Sequence, residues 1–191
     1  MNTRDILLHA ALKLLEEEGE ANFTTRKICA IASVTAPTLY HHFGNADGLL
    51  SAAVAEAFAQ FLESKRTAAQ STDPVMALRE GWDDYVRFAA ARPRLYAVMM
   101  SRVLDGADIP AAEQAFALLI ARLEAVATGG RLGPTIQDAA DLMWASANAA
   151  SQLHVTARLR KVKAPTPAVL ERIREDALRS ILNSETDSRS R

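Results

Sequence analysis

The chain has 191 residues, 49% apolar and 24% charged, with a formal net charge of −1. That balance belongs to a folded globular protein and excludes a disordered chain or one drawn to nucleic acid by bulk charge. A single cysteine, Cys29, excludes an intrachain disulfide, and no stretch reaches the roughly 18 uninterrupted apolar residues of a membrane helix.

Alanine and leucine dominate, β-branched and aromatic residues are sparse, and no alternating apolar–polar run lasts, so an all-α fold is expected. A first helix is expected over residues 3–18, where Ile6, Leu7, Ala10, Ala11, Leu14 and Leu15 recur at three- and four-residue steps. Glu16, Glu17, Glu18 and Glu20 crowd its C-terminal end, where the helix dipole disfavours them, and Gly19 supplies the stop. Thr24 or Thr25 caps a second helix carrying Ile28, Ala30 and Ile31 inward. Ser33 and Val34 form a turn. Thr35 caps a third helix with Pro37 in its first turn, and Phe43 and Gly44 end it. This third helix is too polar and aromatic to be core alone, and two short helices joined by a tight turn place the second in a DNA major groove.

A fourth helix is expected from Asn45 or Asp47 to about residue 67, with Leu49, Leu50, Val54, Phe58 and Phe61 inward. The polar stretch 68–72 is the expected domain boundary. Asp73-Pro74 opens a helix to about residue 91, with Leu78, Trp82, Tyr85, Val86 and Ala89 on one side. Residues 95–104 form a short apolar helix ended by Gly106; Pro110 opens the next, which Gly129-Gly130 closes. Thr135 caps a long helix over 136–159, whose Ala- and Ser-rich middle suits close helix packing or a cavity wall. A basic connector (Arg158, Arg160, Lys161, Lys163) leads to Thr166-Pro167 and a last helix carrying Val169, Leu170, Ile173, Ala177, Leu178, Ile181 and Leu182. The tail from Asn183 is polar and expected to fray.

Chemistry-bearing constellations are sparse. His9 has only Asp5 at ligand spacing on one helical face, His41, His42 and His154 have no Cys, Asp or Glu there, and there is no Gly-rich phosphate loop or nucleophile elbow. No enzyme, metal or cofactor is expected, and Cys29 reads as a small core residue. Over residues 1–50, Arg4, Lys13, Arg26 and Lys27 are outnumbered by Asp5, Glu16, Glu17, Glu18, Glu20 and Asp47. Any DNA contact there must rest on a few groups facing one groove.

Ala10-Ala11, Leu14-Leu15, Gly19, Thr24-Thr25, Ile28, Ala30, Val34, Thr38-Leu39-Tyr40, His42-Phe43 and Leu49-Leu50 form an ordered set. In it, residues 4–50 resemble the N-terminal domain of TetR-family transcriptional regulators. The resemblance implies an all-α protein with a three-helix helix-turn-helix DNA-binding domain (1–46), a connecting helix (47–67), a larger helical ligand-binding and dimerisation domain (68–185) and a short tail (186–191). It implies that Thr25 and Arg26 touch phosphate and a base edge, and that Ala36, Pro37 and Thr38 open the recognition helix toward bases. Tyr40 and His42 would contact phosphates, with Lys27 a further phosphate partner and His41 facing the groove. Hydroxyls and short cations at helix N-termini suit phosphate oxygens, and the Thr38 methyl suits a thymine methyl. Three positions depart from the family pattern: Ser33 stands where Gly is usual, Ala46 where Lys is usual, and Asp47 where Glu is usual. The missing lysine predicts a shallower salt dependence.

The resemblance further implies a homodimer, formed through helices 136–159 and 167–182, and a small-molecule pocket. Candidate pocket residues are Trp82, Tyr85, Phe88, Tyr96, Met99, Met100, Phe116, Met143, Trp144 and Asn148, although most of these side chains also suit ordinary core. The Leu170, Ile173, Ala177, Ile181 stripe likewise fits either a dimer face or a monomer core. The expected function is a cytoplasmic, homodimeric repressor released from a pseudo-palindromic double-stranded operator by a small hydrophobic effector, with no membrane partner. The alternative is a helical small-molecule binding protein without DNA function, which has no use for Thr25-Arg26 and residues 37–42.

Overall fold

Most helices begin where the chain offers a cap. In the computed structural model, which describes residues 2–67 and 71–183, α1 (Thr3–Glu18) opens on Asn2, whose side chain accepts the Asp5 N–H while the Asp5 carboxylate takes the Asn2 N–H. A single 3₁₀ turn (Glu20–Asn22) leads to α2 (Thr25–Ala32), capped by Thr24, and α3 (Ala36–Phe43). Asn45 caps α4 (Ala46–Thr67) by accepting the Gly48 N–H at 2.8 Å. Asp73 does the same for α5 (Pro74–Ala91), taking the Val75 N–H at 3.0 Å. After α6 (Pro93–Leu104) and α7 (Pro110–Thr128), Thr135 caps α8 (Ile136–Arg160) and Thr166 caps α9 (Pro167–Ile181). Among the described residues the only strand-like pairing is an isolated antiparallel bridge between Leu132 and Leu182. The protein is all-α, as its composition leads one to expect.

The helices gather into two compact units, one of Met1–Ser64 with Ala91–Glu113, the other of Lys65–Ala90 with Gln114–Arg191. In the first, α1 lies against α2, α3 and α6. Leu7, Leu14, Leu15, Ile28, Leu39, Leu49, Leu95 and Met99 are fully buried. This unit takes in α6, which chain order groups with the C-terminal body. Two residues at the ends of α6 explain the attachment: Arg92 bonds Glu16 of α1 and, at 3.2 Å, Gln60 of α4, and Arg102 bonds Asp47 at 2.6 Å. The polar stretch expected to divide the chain falls partly on residues 68–70, outside the described residues.

In the second unit α8 and α9 pack together, and Leu78, Trp82, Val86, Leu123, Met143, Leu178 and Ile181 form the core with a floor of Ala139, Ala140, Ala147 and Ala150. Alanines let helices approach closely, so the small-residue stripe of α8 is used within the chain. The α9 stripe is used the same way: Leu170, Ile173 and Ala177 pack against this core and Ile181 is fully buried.

One inward assignment is corrected. Ala30 and Ile31 of α2 were expected in the core, but Ala30 is exposed and Ile31 is 43% exposed, while Ala32 is buried. A helix of eight residues resting on α1 and α3 buries one narrow side, and Ile28 and Ala32, four apart, occupy it.

Candidate DNA-reading surface

The reader is built from α2, its turn and α3. The Thr24 hydroxyl accepts the Lys27 N–H at 3.4 Å and starts α2. Ser33 ends it in the left-handed region, φ 55° and ψ 42°, and the Val34 N–H closes the turn on the Cys29 carbonyl at 3.0 Å. A serine there costs about 1 kcal/mol relative to glycine, the residue usual at this position in the family pattern. Thr35 occupies the N-cap position of α3 without capping it. Its hydroxyl lies 3.0 Å from that of Thr38 instead, and Pro37 needs no capping partner. Leu39, fully buried, anchors α3, and the Arg4 guanidinium lies over the half-buried Phe43 ring at 5.2 Å. Gly44, at φ 76°, lets the chain turn out of α3.

With Leu39 inward, Pro37 and His41, four residues apart, take the opposite side of α3, with Tyr40 beside them. Tyr40 is 47% exposed, and Pro37, His41 and His42 are exposed with it; Ala36 and Thr38 are half-buried. The two imidazoles sit edge to face, 5.2 Å apart. On α2, Arg26 is exposed and Thr25 half-buried. Lys27 is already engaged: its ammonium donates to Glu18 at 2.5 Å and to Asn22 at 3.1 Å. Glu18 offsets its charge, which weakens its pull on a phosphate. That pairing closes over nine residues through the 3₁₀ turn, which the helical pattern did not signal. Asp47 is similarly bound to Arg102, 55 residues away, a partner that no local motif marks.

The candidate pocket residues divide between the two units. Tyr96 and Met99 are buried and Met100 is half-buried in the first. In the second, Trp82 and Met143 are core, Tyr85 and Phe116 are partly buried against it, Phe88 is half-buried and Trp144 is 44% exposed. Polar bonds organise this group. Trp82 Nε1 donates to Ser146 Oγ and the Tyr85 hydroxyl donates to Asn148 Oδ1, each at 2.9 Å, and Asn148 Nδ2 donates to the Trp144 carbonyl. A groove of about 360 Å³ lies elsewhere on this unit, lined by Gln152, Leu153, Thr156, Val162, Pro165 and Val169 among others; none of the ten candidates lines it. Leu142, Trp144, Leu153 and Leu159 of α8 are exposed, as are Val162 and Val169 beside the groove.

Among the described residues no group of three or more His, Cys, Asp or Glu is arranged to hold a metal ion, and no helix is long and apolar enough to cross a membrane. Burial raises the Cys29 thiol above its ordinary pKa, which keeps it protonated and a poor nucleophile.

These features define a helix-turn-helix regulator with a helical C-terminal body. Residues 7–53 match the family model of the bacterial regulatory proteins of the tetR family, and residues 78–177 match that of the tetracyclin repressor-like C-terminal domain. The chain belongs to the TetR family of transcriptional regulators. It is 31% identical over 90 residues to the transcriptional repressor NicS of Pseudomonas putida KT2440, covering 44% of this chain and 42% of that one. It is 32% identical over 106 residues to the class D tetracycline repressor of Escherichia coli, covering 56% and 43%. The matched stretch is thus less than half the length of these curated relatives. Solved structures share the fold over nearly the whole chain. A Rhodococcus sp. RHA1 protein of unknown function has a TM-score of 0.82 at 20% identity, covering 96% of this chain and 97% of that one. The fatty acid degradation regulator FadR of Bacillus halodurans has a TM-score of 0.73 at 17% identity, covering 93% and 95%.

Proposed function

We propose that this regulator is a homodimeric repressor, working in the bacterial cytoplasm, that leaves a pseudo-palindromic operator when a small, largely apolar effector binds. The observation that carries the reading is the outward display of Pro37, Tyr40, His41 and His42 around a fully buried Leu39. Their polar and aromatic groups have no core to serve and suit a DNA groove and its phosphates. Thr25, Arg26, Lys27, Ala36 and Thr38 complete the contact set. Two copies related by a twofold axis would read two half-sites. The exposed apolar residues of α8, Leu142, Leu153 and Leu159, support a dimer face there, since a soluble chain gains by covering such a patch.

Release requires that the effector favour a state with the two recognition helices wrongly spaced. A tenfold preference for that state is worth about 1.4 kcal/mol. Trp82, Tyr85, Phe88, Phe116, Met143, Trp144 and Asn148 of the second unit are the proposed effector-contacting set. The test is fluorescence anisotropy of the purified protein with its own upstream DNA at two salt concentrations. Saturable, competitor-resistant binding by a dimer is expected. Binding that random DNA competes away equally well overturns the reading.

A further inference from the structure

The lysines and arginines of residues 1–50 are Arg4, Lys13, Arg26 and Lys27, and the structure divides them into two kinds. Lys13 lies 4.0 Å from Glu17 and Lys27 lies 2.5 Å from Glu18, so each is offset by an acid of α1. Arg4 and Arg26 are exposed, and among the described residues neither makes a hydrogen bond or an ion pair. Arg26 stands in the first turn of α2 and already belongs to the contact set. Arg4 belongs to none.

The place of Arg4 is specific. It is the second residue of α1, where the positive end of the helix dipole disfavours a cation. The adjacent acid, Asp5, serves the helix start, its carboxylate taking the Asn2 N–H at 3.3 Å. What Arg4 does meet is the ring of Phe43, the last residue of α3, with its guanidinium carbon 5.2 Å from the ring centroid. Phe43 is half-buried, and its ring stands edge to face with that of His42, 6.4 Å between centroids. The guanidinium therefore rests beside the end of the recognition helix, on a ring that the fold holds in place. A ring attracts the cation through its charge and leaves the guanidinium's N–H donors available. Residues 44–47 bring no positive charge of their own, and Asp47 is paired with Arg102.

We infer that Arg4 is a further phosphate-contacting residue of the reader, with Phe43 as the platform that positions it. Phe43 follows Leu39 by four residues and so lies toward the inward side of α3, which puts its cation on the flank of the Pro37 and His41 side. A cation on the flank of a recognition helix meets the DNA backbone and not the base edges. The guanidinium fork suits two oxygens of one phosphate. The assignment rests on the DNA-reading surface proposed above and adds to it a residue from α1.

The test is the salt dependence of DNA binding by the full-length protein, read by fluorescence anisotropy for the wild type, Arg4→Met and Lys13→Met. Two duplexes of equal length are used, the protein's own upstream DNA and a random sequence. Methionine keeps a long apolar side chain against Phe43 while removing the charge, so Arg4→Met should melt with the wild type. Its plot of log affinity against log salt should be shallower by about 0.9 for each subunit bound, and binding to both duplexes should weaken by a similar factor, since both present the same phosphates. Lys13→Met removes the same charge further along α1 and should keep the wild-type slope. An Arg4→Met slope equal to that of the wild type overturns the contact, whether or not the variant melts lower. So does an equal loss of slope in Lys13→Met, which would mark a net-charge effect. Equal wild-type affinity for the two duplexes would count against the operator reading alone, because a phosphate contact is read on either.

Discussion

Tyr40 illustrates how much depends on a single outward-facing group. It is 47% exposed, and within the described residues its hydroxyl makes no hydrogen bond. Tyr40→Phe should therefore leave the melting temperature unchanged and weaken operator binding about five- to tenfold, the worth of one hydroxyl–phosphate bond. Unchanged affinity at matched salt would remove Tyr40 from the contact set. Ser33 makes the opposite kind of prediction. Its left-handed backbone suits glycine, so Ser33→Gly should stabilise the protein by about 1 kcal/mol, measurable by urea unfolding.

Lys65 ties stability to pH. Its folded pKa, pulled down by burial to about 8, lies below the ordinary lysine value of 10.5 that holds in the unfolded chain, so the unfolded chain holds the proton more tightly. The destabilisation is complete below about pH 8 and is relieved as pH climbs toward 10.5. The shift corresponds to about 3 kcal/mol. Lys65→Met should accordingly be more stable than the wild type at pH 7, by about 1–3 kcal/mol, and lose that advantage near pH 10.5. Urea unfolding at both pH values checks it; a variant weaker than the wild type at pH 7 would refute the account.

Among the elements, α6 has the least expected placement. Its end residues pair with the first unit: Arg92 with Glu16 and Gln60, Arg102 with Asp47. The Arg102 pair spans a half-buried guanidinium and a carboxylate 70% exposed, so it adds at most about 1 kcal/mol to stability. Its electrostatic effect is larger than its mechanical one, because Asp47 stands at the head of α4, only a few residues past the recognition helix. Arg102→Ala should weaken operator binding a few-fold at low salt by leaving that negative charge unpaired near the DNA. Adding Asp47→Asn should restore most of the affinity, and a double variant no better than the single one would show that charge is not the cause. The local pattern marks α6 as a short apolar helix but carries nothing about which neighbour it chooses.

For the molecule as a whole, the decisive question is which apolar surface is left over once each unit has closed. On α9 the stripe of Leu170, Ile173, Ala177 and Ile181 is spent inside the chain, whereas Leu142, Leu153 and Leu159 of α8 remain outside. Leu153→Arg should leave helicity intact, because the side chain is 42% exposed. It should shift sedimentation from dimer to monomer and abolish cooperative operator binding. A dimeric Leu153→Arg would place the partner face elsewhere.

Helix existence and ends were legible from the chain alone. Thr24, Thr135 and Thr166 are signals whose physics is confined to one turn, since a cap bonds an N–H two or three residues away. That α3 would turn polar and aromatic groups outward was legible from its composition, whereas the individual groups came from the family resemblance. What tertiary structure decided was the partner of each face. Ile31 belongs to an apolar pattern yet lies outside, Lys27 pairs with Glu18, Arg102 with Asp47, and Lys65 and Arg122 meet at Gly81. Periodicity says that a helix has an apolar or charged side. Only chain closure between distant segments says what that side meets, because packing energy depends on which surfaces are brought together and not on the order in which the residues are joined.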